Sequence, residues 1–502
     1  MGQAPTIHRL TLQEGLDLTE LLMTMSWRAT PVLLTLLAAC EPPPVDDTLL
    51  SSNEAPARRP TDHRLWEPCG TSVRRLEDIH PGPQEAAIQE RLHGDGLLFF
   101  TADDGQHGAE LWTSSGTQGE GTRLLRDIAP GPEGSNPTDL TRVGDRLFFI
   151  ADDGVNGRAL WTSDGTSEGT SLVKRVLPIG TGLGEGQTLV AYRGRLYFSA
   201  AAPGGAHGNE LWSSDGTDAG THEVADLVPG EDSSFPRRFA VHDGSLYFVI
   251  SVGEENWLVR SEGGAAFTPL LEVFEDTVIF RMKSAGGRLF FLVDPDEGEA
   301  TLYVTDGTAE GTRRLRFFPG RYPHDLVAFQ GRLYFSAGSD APEGEELWVS
   351  DGTVSGTRRV KDIRPGAEGS APAFLAVLGD HLYFAADDGR HGRELWVSDG
   401  TSKGTKLFAD LVPGTEGASP TEVTAIQGWI FFGANTGHGV EPWVSNGTVS
   451  STRKLDAGTA RDPRAFIRSG WDVFFTAEDG ASGRELYALP FRPASECHQT
   501  KP

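Results

Sequence analysis

Cysteine is scarce in this chain: three in 502 residues, Cys40, Cys69 and Cys497. That leaves room for a single disulfide once any one of them is used otherwise. Positive charge is short as well, with 44 Lys and Arg against 71 Asp and Glu and a formal net charge of −27. Such a balance argues against nucleic acid as a partner and against attraction to an anionic membrane surface. The apolar run Pro31 to Ala39 is too short to span a bilayer. Catalytic signatures are missing too: there is no Gly-x-Ser-x-Gly elbow, no His-Glu-x-x-His, no Gly-rich phosphate loop and no Cys-x-x-Cys. Carboxylates are too numerous for any pair to stand out as an acid/base couple.

What the chain does have is glycine (62), proline (31), and enough aromatic side chains (9%) to build a core. The aromatics repeat. A Gly-x-Leu-(Phe/Tyr)-Phe pattern ends at Phe100, Phe149, Phe198, Phe248, Phe291, Phe335, Phe384, Phe432 and Phe475, in steps of 43 to 50 residues. A period of that size, filled with short β-type runs, marks a propeller or a stacked array. Within one unit, Pro137 to Val143 reads as a half-polar strand and Arg146 to Ala151 as a strand buried on both faces. Arg158 to Thr162 is a third strand, Asp164-Gly165 a tight turn, and Ser171 to Leu177 a fourth strand. No ten-residue stretch of the unit carries a helical period. The expected fold is all-β: a β-propeller of about nine four-stranded antiparallel blades.

Neighbouring residues of a strand point to opposite sides. Each aromatic pair, such as Phe99/Phe100 or Phe474/Phe475, is therefore expected to serve two blade interfaces. Trp66, Trp112, Trp161, Trp212, Trp348, Trp396 and Trp443 read as third-strand residues packing between blades; Val259, Tyr303 and Tyr487 take that place in other copies. The N-terminal part has a spare fourth strand, Val73 to Ile79, and the C-terminal part stops after a third strand, Glu485 to Leu489. Docking one beside the other closes the ring, with the N-terminal strand completing the last blade. Cys69 and Cys497 then fall at one blade edge, and a Cys69–Cys497 disulfide is expected as a clasp. In the chain-entropy picture it is worth on the order of 4–5 kcal/mol.

Two local patterns resemble known families. Glu210-Leu211-Trp212-Ser213-Ser214-Asp215-Gly216-Thr217 and Glu394-Leu395-Trp396-Val397-Ser398-Asp399-Gly400-Thr401 resemble the ELWxxDGT repeat of bacterial surface and secreted proteins. The resemblance covers about residues 65–491. It implies a repeat architecture and an exported location, and no reaction. Some copies depart from it: Ser114-Ser115-Gly116 loses the turn acid, Ala159 replaces the Glu, and Leu258 to Gly264 is the most degenerate. At the other end, Leu37-Ala38-Ala39-Cys40 resembles a bacterial lipobox, which implies lipidation of Cys40 and cleavage before it. Residues 1–24 then read as an over-extended start, 25–39 as a lipoprotein signal peptide and 40–64 as a Pro- and acid-rich tether. The propeller occupies 65–491 and a tail 492–502.

One repeated loop carries candidate chemistry. Asp-Asp-Gly-x-His-Gly-x-Glu recurs at Asp103 to Glu110 and Asp387 to Glu394. Asp103, Asp104, Glu110, Asp387, Asp388 and Glu394 are thus candidate calcium ligands, although the alternating-acid spacing of known calcium loops is missing. The other reading of the same loop is a hairpin whose Asp side chains cap backbone amides. His107, His207, His391 and His438, one per blade, read as structural or surface residues.

The functional expectation is a monomeric, non-enzymatic lipoprotein of the bacterial envelope. Membrane contact would be only through the lipid on Cys40, and the partner an envelope protein or an extracellular glycan. No cofactor is expected beyond the calcium candidates. An enzyme acting on polysaccharide in the central channel is the alternative. It would concentrate unusual polar residues on a few inner strands, with Ser251–Asp306 (Glu254, Glu255, Asp294, Asp296, Glu297) the stretch to inspect. A calcium-dependent adhesin is the third reading, and it predicts that a chelator lowers the melting temperature.

Overall fold

The computed structural model describes residues 65–497, apart from 95, 120, 179–187, 203, 205–206, 275–276, 295–298, 320–321 and 339–343. Cys40, the export signal and the tether lie outside the described residues, as do Asp296 and Glu297.

Nine antiparallel sheets make up the described residues; seven are four-stranded meanders in chain order, while blade 3 gains a short extra strand and blade 9 takes strands from the N-terminal end of the described chain. In blade 2 the strands are Thr138–Val143, Arg146–Asp152, Arg158–Ser163 and Ser171–Lys174. The expected fourth strand ran on to Leu177. Instead the chain turns at Val176, and Leu177–Pro178 pairs with Ala200–Ala201 of blade 3. The first strands of successive blades lie side by side around the ring, so they form its inner wall.

The aromatic pairs show why the blades stack. Phe148 packs with Phe198, Tyr197 with Phe248, Tyr247 with Phe291, and Phe290 with Phe335. In every cluster the first aromatic of one blade meets the second aromatic of the next. Each such side chain contributes roughly 2–3 kcal/mol of burial. An open array of nine blades would have eight such interfaces. The ninth is present, because Phe474 of the last blade packs with Phe100 of the first.

Closure follows from both chain ends. Arg74 and Arg75 pair with Ala488 and Tyr487, and Leu76 N–H donates to Leu486 O (3.0 Å). The final strand is longer than expected, Gly483–Pro493, and Trp66–Pro68 pairs with its far end, Phe491–Pro493. Trp66 is therefore not a third-strand residue. The third-strand partner of Phe475 is Tyr487, and that of Phe100 is Trp112. A short helix, Ala494–Cys497, then brings Cys497 to Cys69 in a disulfide with a Cα–Cα distance of 5.0 Å.

The Asp-Gly-Thr turn owes its form to side chains. Asp164 Oδ1 accepts from Thr166 N (2.9 Å) and Thr166 Oγ1 (2.7 Å), while Thr166 Oγ1 accepts from Gly169 N (2.9 Å). Gly165 sits at φ 90°, and a Cβ on Gly169 would overlap the Asp164 carboxylate. Asp215, Asp306, Asp351 and Asp399 repeat the arrangement. Each Asp thereby caps two donors that would otherwise be left without partners.

Candidate functional site

The repeated polar residues are occupied by their own fold. The Glu that opens the Glu-Leu-Trp motif points into the segment crossing to the next blade. Glu110 accepts from Ala129 N (3.0 Å), Ser135 N (3.0 Å) and Ser135 Oγ (2.6 Å). Glu210 and Glu346 hold Ser234 and Ser370 in the same way. Burial pushes the carboxyls of Glu110, Glu210, Glu346 and Glu394 upward, and these bonds oppose it.

Blade 7 lacks one part of this device. Ala418 stands where Ser135 and Ser370 stand, so Glu394 accepts from Val412 N and Ala418 N (both 2.9 Å) while its Oε2 is buried without a partner. Ala418→Ser should restore the missing donor and raise stability by about 1 kcal/mol, read as an increase in denaturant midpoint at unchanged slope.

The six candidate calcium ligands divide into two roles. Asp103 Oδ1 accepts from Gly105 N (2.7 Å); Asp104 Oδ1 accepts from Gln106 N (2.9 Å) and His107 N (2.8 Å), and its Oδ2 meets His107 Nδ1 at 2.8 Å. Asp387, Asp388 and His391 repeat this, with Arg364 Nη1 also on Asp387 Oδ2 (2.6 Å). Glu110 and Glu394 turn instead toward the blade crossing. The structure thus keeps the aspartates together and directs the glutamates elsewhere. Among the described residues no group of three or more His, Cys, Asp or Glu is arranged to hold a metal ion. His107 and His391 are raised above the usual imidazole range by their Asp partners.

Residues unique to one blade lie elsewhere. Near the start of the inner strand the backbone turns left-handed at Glu90, Asp139, Arg238, Arg281, Asp325, Phe374, Glu422 and Ala465, with φ between 45° and 61°. A break in pairing register accompanies each of these residues. The bulge turns a side chain toward the next blade. Asp325 Oδ2 accepts from Phe374 N (2.8 Å), Glu422 Oε2 from Ala465 N (2.9 Å) and Glu90 Oε2 from Leu140 N (3.4 Å). These three carboxylate-to-amide bonds between blades had no common sequence signal: Asp325 follows Pro-His, Glu422 follows Pro-Thr and Glu90 follows Ile-Gln.

Blade 6 inverts the charges at this rim. The residue before the first position of the motif (Glu in blades 7 and 9, Ala159 in blade 2) is Arg158, Arg393 or Arg484 in blades 2, 7 and 9. These donate to the adjoining inner-strand segment, at Thr138 Oγ1 (2.6 Å), Ala371 O (2.8 Å) and Asp462 O (2.8 Å). In blade 6 it is Glu345, which accepts from His324 Nε2 (2.6 Å) and from Ser336 Oγ. His324 Nδ1 lies 3.4 Å from Asp325 Oδ2. The Asp325 and Glu345 carboxylates together push His324 up to about 9, so it is an imidazolium at neutral pH. Arg393 and Arg281 act electrostatically on Asp325 from the neighbouring blades.

The described acidic residues of the stretch singled out in the sequence, Glu254, Glu255 and Asp294, do not form such a site. Glu254 and Glu255 lie at the hairpin between the second and third strands of blade 4, and Asp294 ends the second strand of blade 5. None of the three is on an inner strand. A cavity of about 140 Å³ lies between blades 8 and 9, where Lys454 Nζ (3.1 Å) and Arg461 Nη2 (3.6 Å) meet the buried Glu441 carboxylate. Here the crossing segment lacks the serine of other blades, and two cations take its place.

No protein-family profile matches the chain, and no curated protein matches it. Among solved structures it is similar to puromycin hydrolase at 13% identity and a TM-score of 0.38, over 69% of this chain and 58% of that one. A prolyl endopeptidase gives 13% and 0.38 over 72% and 54%. The β-propeller domain of the Trilobed protease from Pyrococcus furiosus gives 11% and 0.35 over 71% and 95%. The chain spans little more than half the length of the first two proteins.

Proposed function

We propose that the protein is a non-catalytic binding platform of the bacterial envelope, held to a membrane by lipid on Cys40, with an envelope protein or an extracellular glycan as its partner. One observation carries this reading. The polar side chains that repeat, the motif glutamates and the turn aspartates, are committed to their own fold. The Leu37-Ala38-Ala39-Cys40 run and the resemblance to the ELWxxDGT repeat support the exported location. In a bacterial host, the wild-type chain should fractionate with membranes and Cys40→Ser with the soluble fraction. Immobilised protein should retain an envelope protein or a glycan. A wild-type chain that stays soluble and unlipidated would remove the anchor; a chain that captures neither partner would remove the platform.

The His324 cluster favours a second reading, an enzyme acting on polysaccharide in the channel. His324→Gln would then abolish release of new reducing ends from envelope polysaccharide, whereas the platform reading expects no such release from the wild type.

A further inference from the structure

Three tryptophans break the repeat and meet at the closing seam. The turn between first and second strands carries Gly-Asp-Arg at Gly144 to Arg146 and Gly-Asp-His at Gly379 to His381. In blades 8 and 9 it carries Gly428-Trp429 and Gly470-Trp471. Trp66 arrives from the N-terminal strand. Its ring centroid lies 5.7 Å from that of Trp471, and Trp429 Nε1 donates to Trp66 O (2.9 Å). Trp471 remains 47% exposed in a position where a polar turn residue satisfies the fold. With the half-buried Trp66 and Trp429 it forms a contiguous aromatic patch, and an apolar patch held open to water marks a contact surface.

The seam is also tied together. Phe491 N donates to Trp471 O (2.8 Å), and the Cys69–Cys497 disulfide fixes the strand that bears Trp66. An aromatic face fixed in advance loses little freedom when a flat apolar ligand face settles on it. The surroundings are cationic in a chain of net charge −27. Arg468 lies 4.0 Å from the Trp66 ring centroid, Arg453 5.2 Å from that of Trp429 and Arg492 5.8 Å from that of Trp471. The nearby Asp472 carboxylate is taken up chiefly by Arg74 at 2.5 Å, with Arg492 also acting on it electrostatically. A sugar ring offers a C–H face for the indole and, when it is a uronate, a carboxylate for the guanidinium groups.

We propose that Trp471, backed by Trp66 and Trp429 and flanked by Arg468 and Arg492, is a stacking site for a sugar ring of an acidic glycan. This rests on the platform reading and names the chemistry of one partner. The full chain is titrated with glucuronate and galacturonate oligosaccharides and with neutral oligosaccharides of equal length, followed by tryptophan fluorescence and calorimetry. The acidic series should bind, more weakly as salt rises. Trp471→Ala should lower affinity about tenfold at unchanged melting temperature, and Trp471→Phe should retain part of it. Failure of every oligosaccharide to bind the wild type, equal binding of the neutral series, or unchanged affinity in Trp471→Ala would each overturn the proposal. Capture of an envelope protein in the absence of saccharide binding would overturn this site while leaving the platform reading in place.

Discussion

Reduction of the Cys69–Cys497 bridge, or the Cys69→Ser substitution, should lower the melting temperature by about 7 °C and speed unfolding. The bridge joins residues 428 apart, so it forbids nearly all the unfolded chain's end-to-end freedom. The chain-entropy model puts this at about 6 kcal/mol, and an unfolding entropy of about 0.9 kcal/mol/K for a fold of this size converts it to that shift. The clasp acts where the fold is weakest. Every other blade is one continuous stretch of chain, but the last is completed by a strand from the other end, held through Arg74, Arg75 and Trp66–Pro68. Hydrogen exchange of reduced protein should therefore rise first at Leu76 and Cys69 N–H, which donate to Leu486 O and Pro490 O. Uniform loss of protection across all blades, or no shift in melting temperature, would show that the bridge is not a closing element.

Stability should also fall steeply as pH rises from about 5 to 9. Glu485 is fully buried, with one oxygen accepting from Ile79 N (3.2 Å) and the other without a partner. Burial raises its carboxyl from 4.5 to about 8. The folded state then holds the proton more tightly than the unfolded one. Stability from that proton is complete below about 4.5 and lost as pH climbs through 8, on the order of 3–5 kcal/mol in all. His324 acts in the same direction: held near 9 by Asp325 and Glu345, it is stabilising below its ordinary 6.5 and loses that contribution by about 9. The turn aspartates Asp164, Asp215, Asp306, Asp351 and Asp399 act oppositely, since their Thr partners hold them below the usual carboxylate range. Their contribution is lost only as pH falls below about 4. The optimum should lie near pH 5. Glu485→Gln removes one titration, so its melting profile should be flatter between pH 5 and 8, whatever its absolute level. Profiles of variant and wild type that run parallel would refute the assignment.

Much of this arrangement was legible because the repeat exposes its own logic. Phe148 and Phe149 are adjacent in a strand, and alternation alone sends them to opposite interfaces. Val73 to Ile79 had to find a partner, and Glu485 to Leu489 had a free edge. Those are local rules, and the same residues obey them nine times. Trp66 escaped this logic because its Leu-Trp context copies the third-strand motif. Only its pairing with Pro493 shows that it extends the last blade instead. The motif Glu residues were half understood: the loop spacing grouped Glu110 with Asp103 and Asp104. Their separation depends on Ser135, 25 residues away in the chain, which no loop pattern contains.

The functional surfaces were the least legible, for a physical reason. A recurring residue reports what every blade needs in order to fold. A residue occurring once has meaning only through its neighbours, which come from distant blades or from the two chain ends. Glu345 differs from Arg393 by one substitution in a repeat, yet it inverts the charge around His324. Trp471 is a turn residue in the chain and a platform beside Trp66 in space. The amino-acid order by itself determined the strands, the count of blades, the stacking aromatics and the two thiols that meet. Tertiary structure decided which carboxylates are buried, where His324 is held charged and where aromatic surface stays open, because burial and charge proximity are properties of the closed ring.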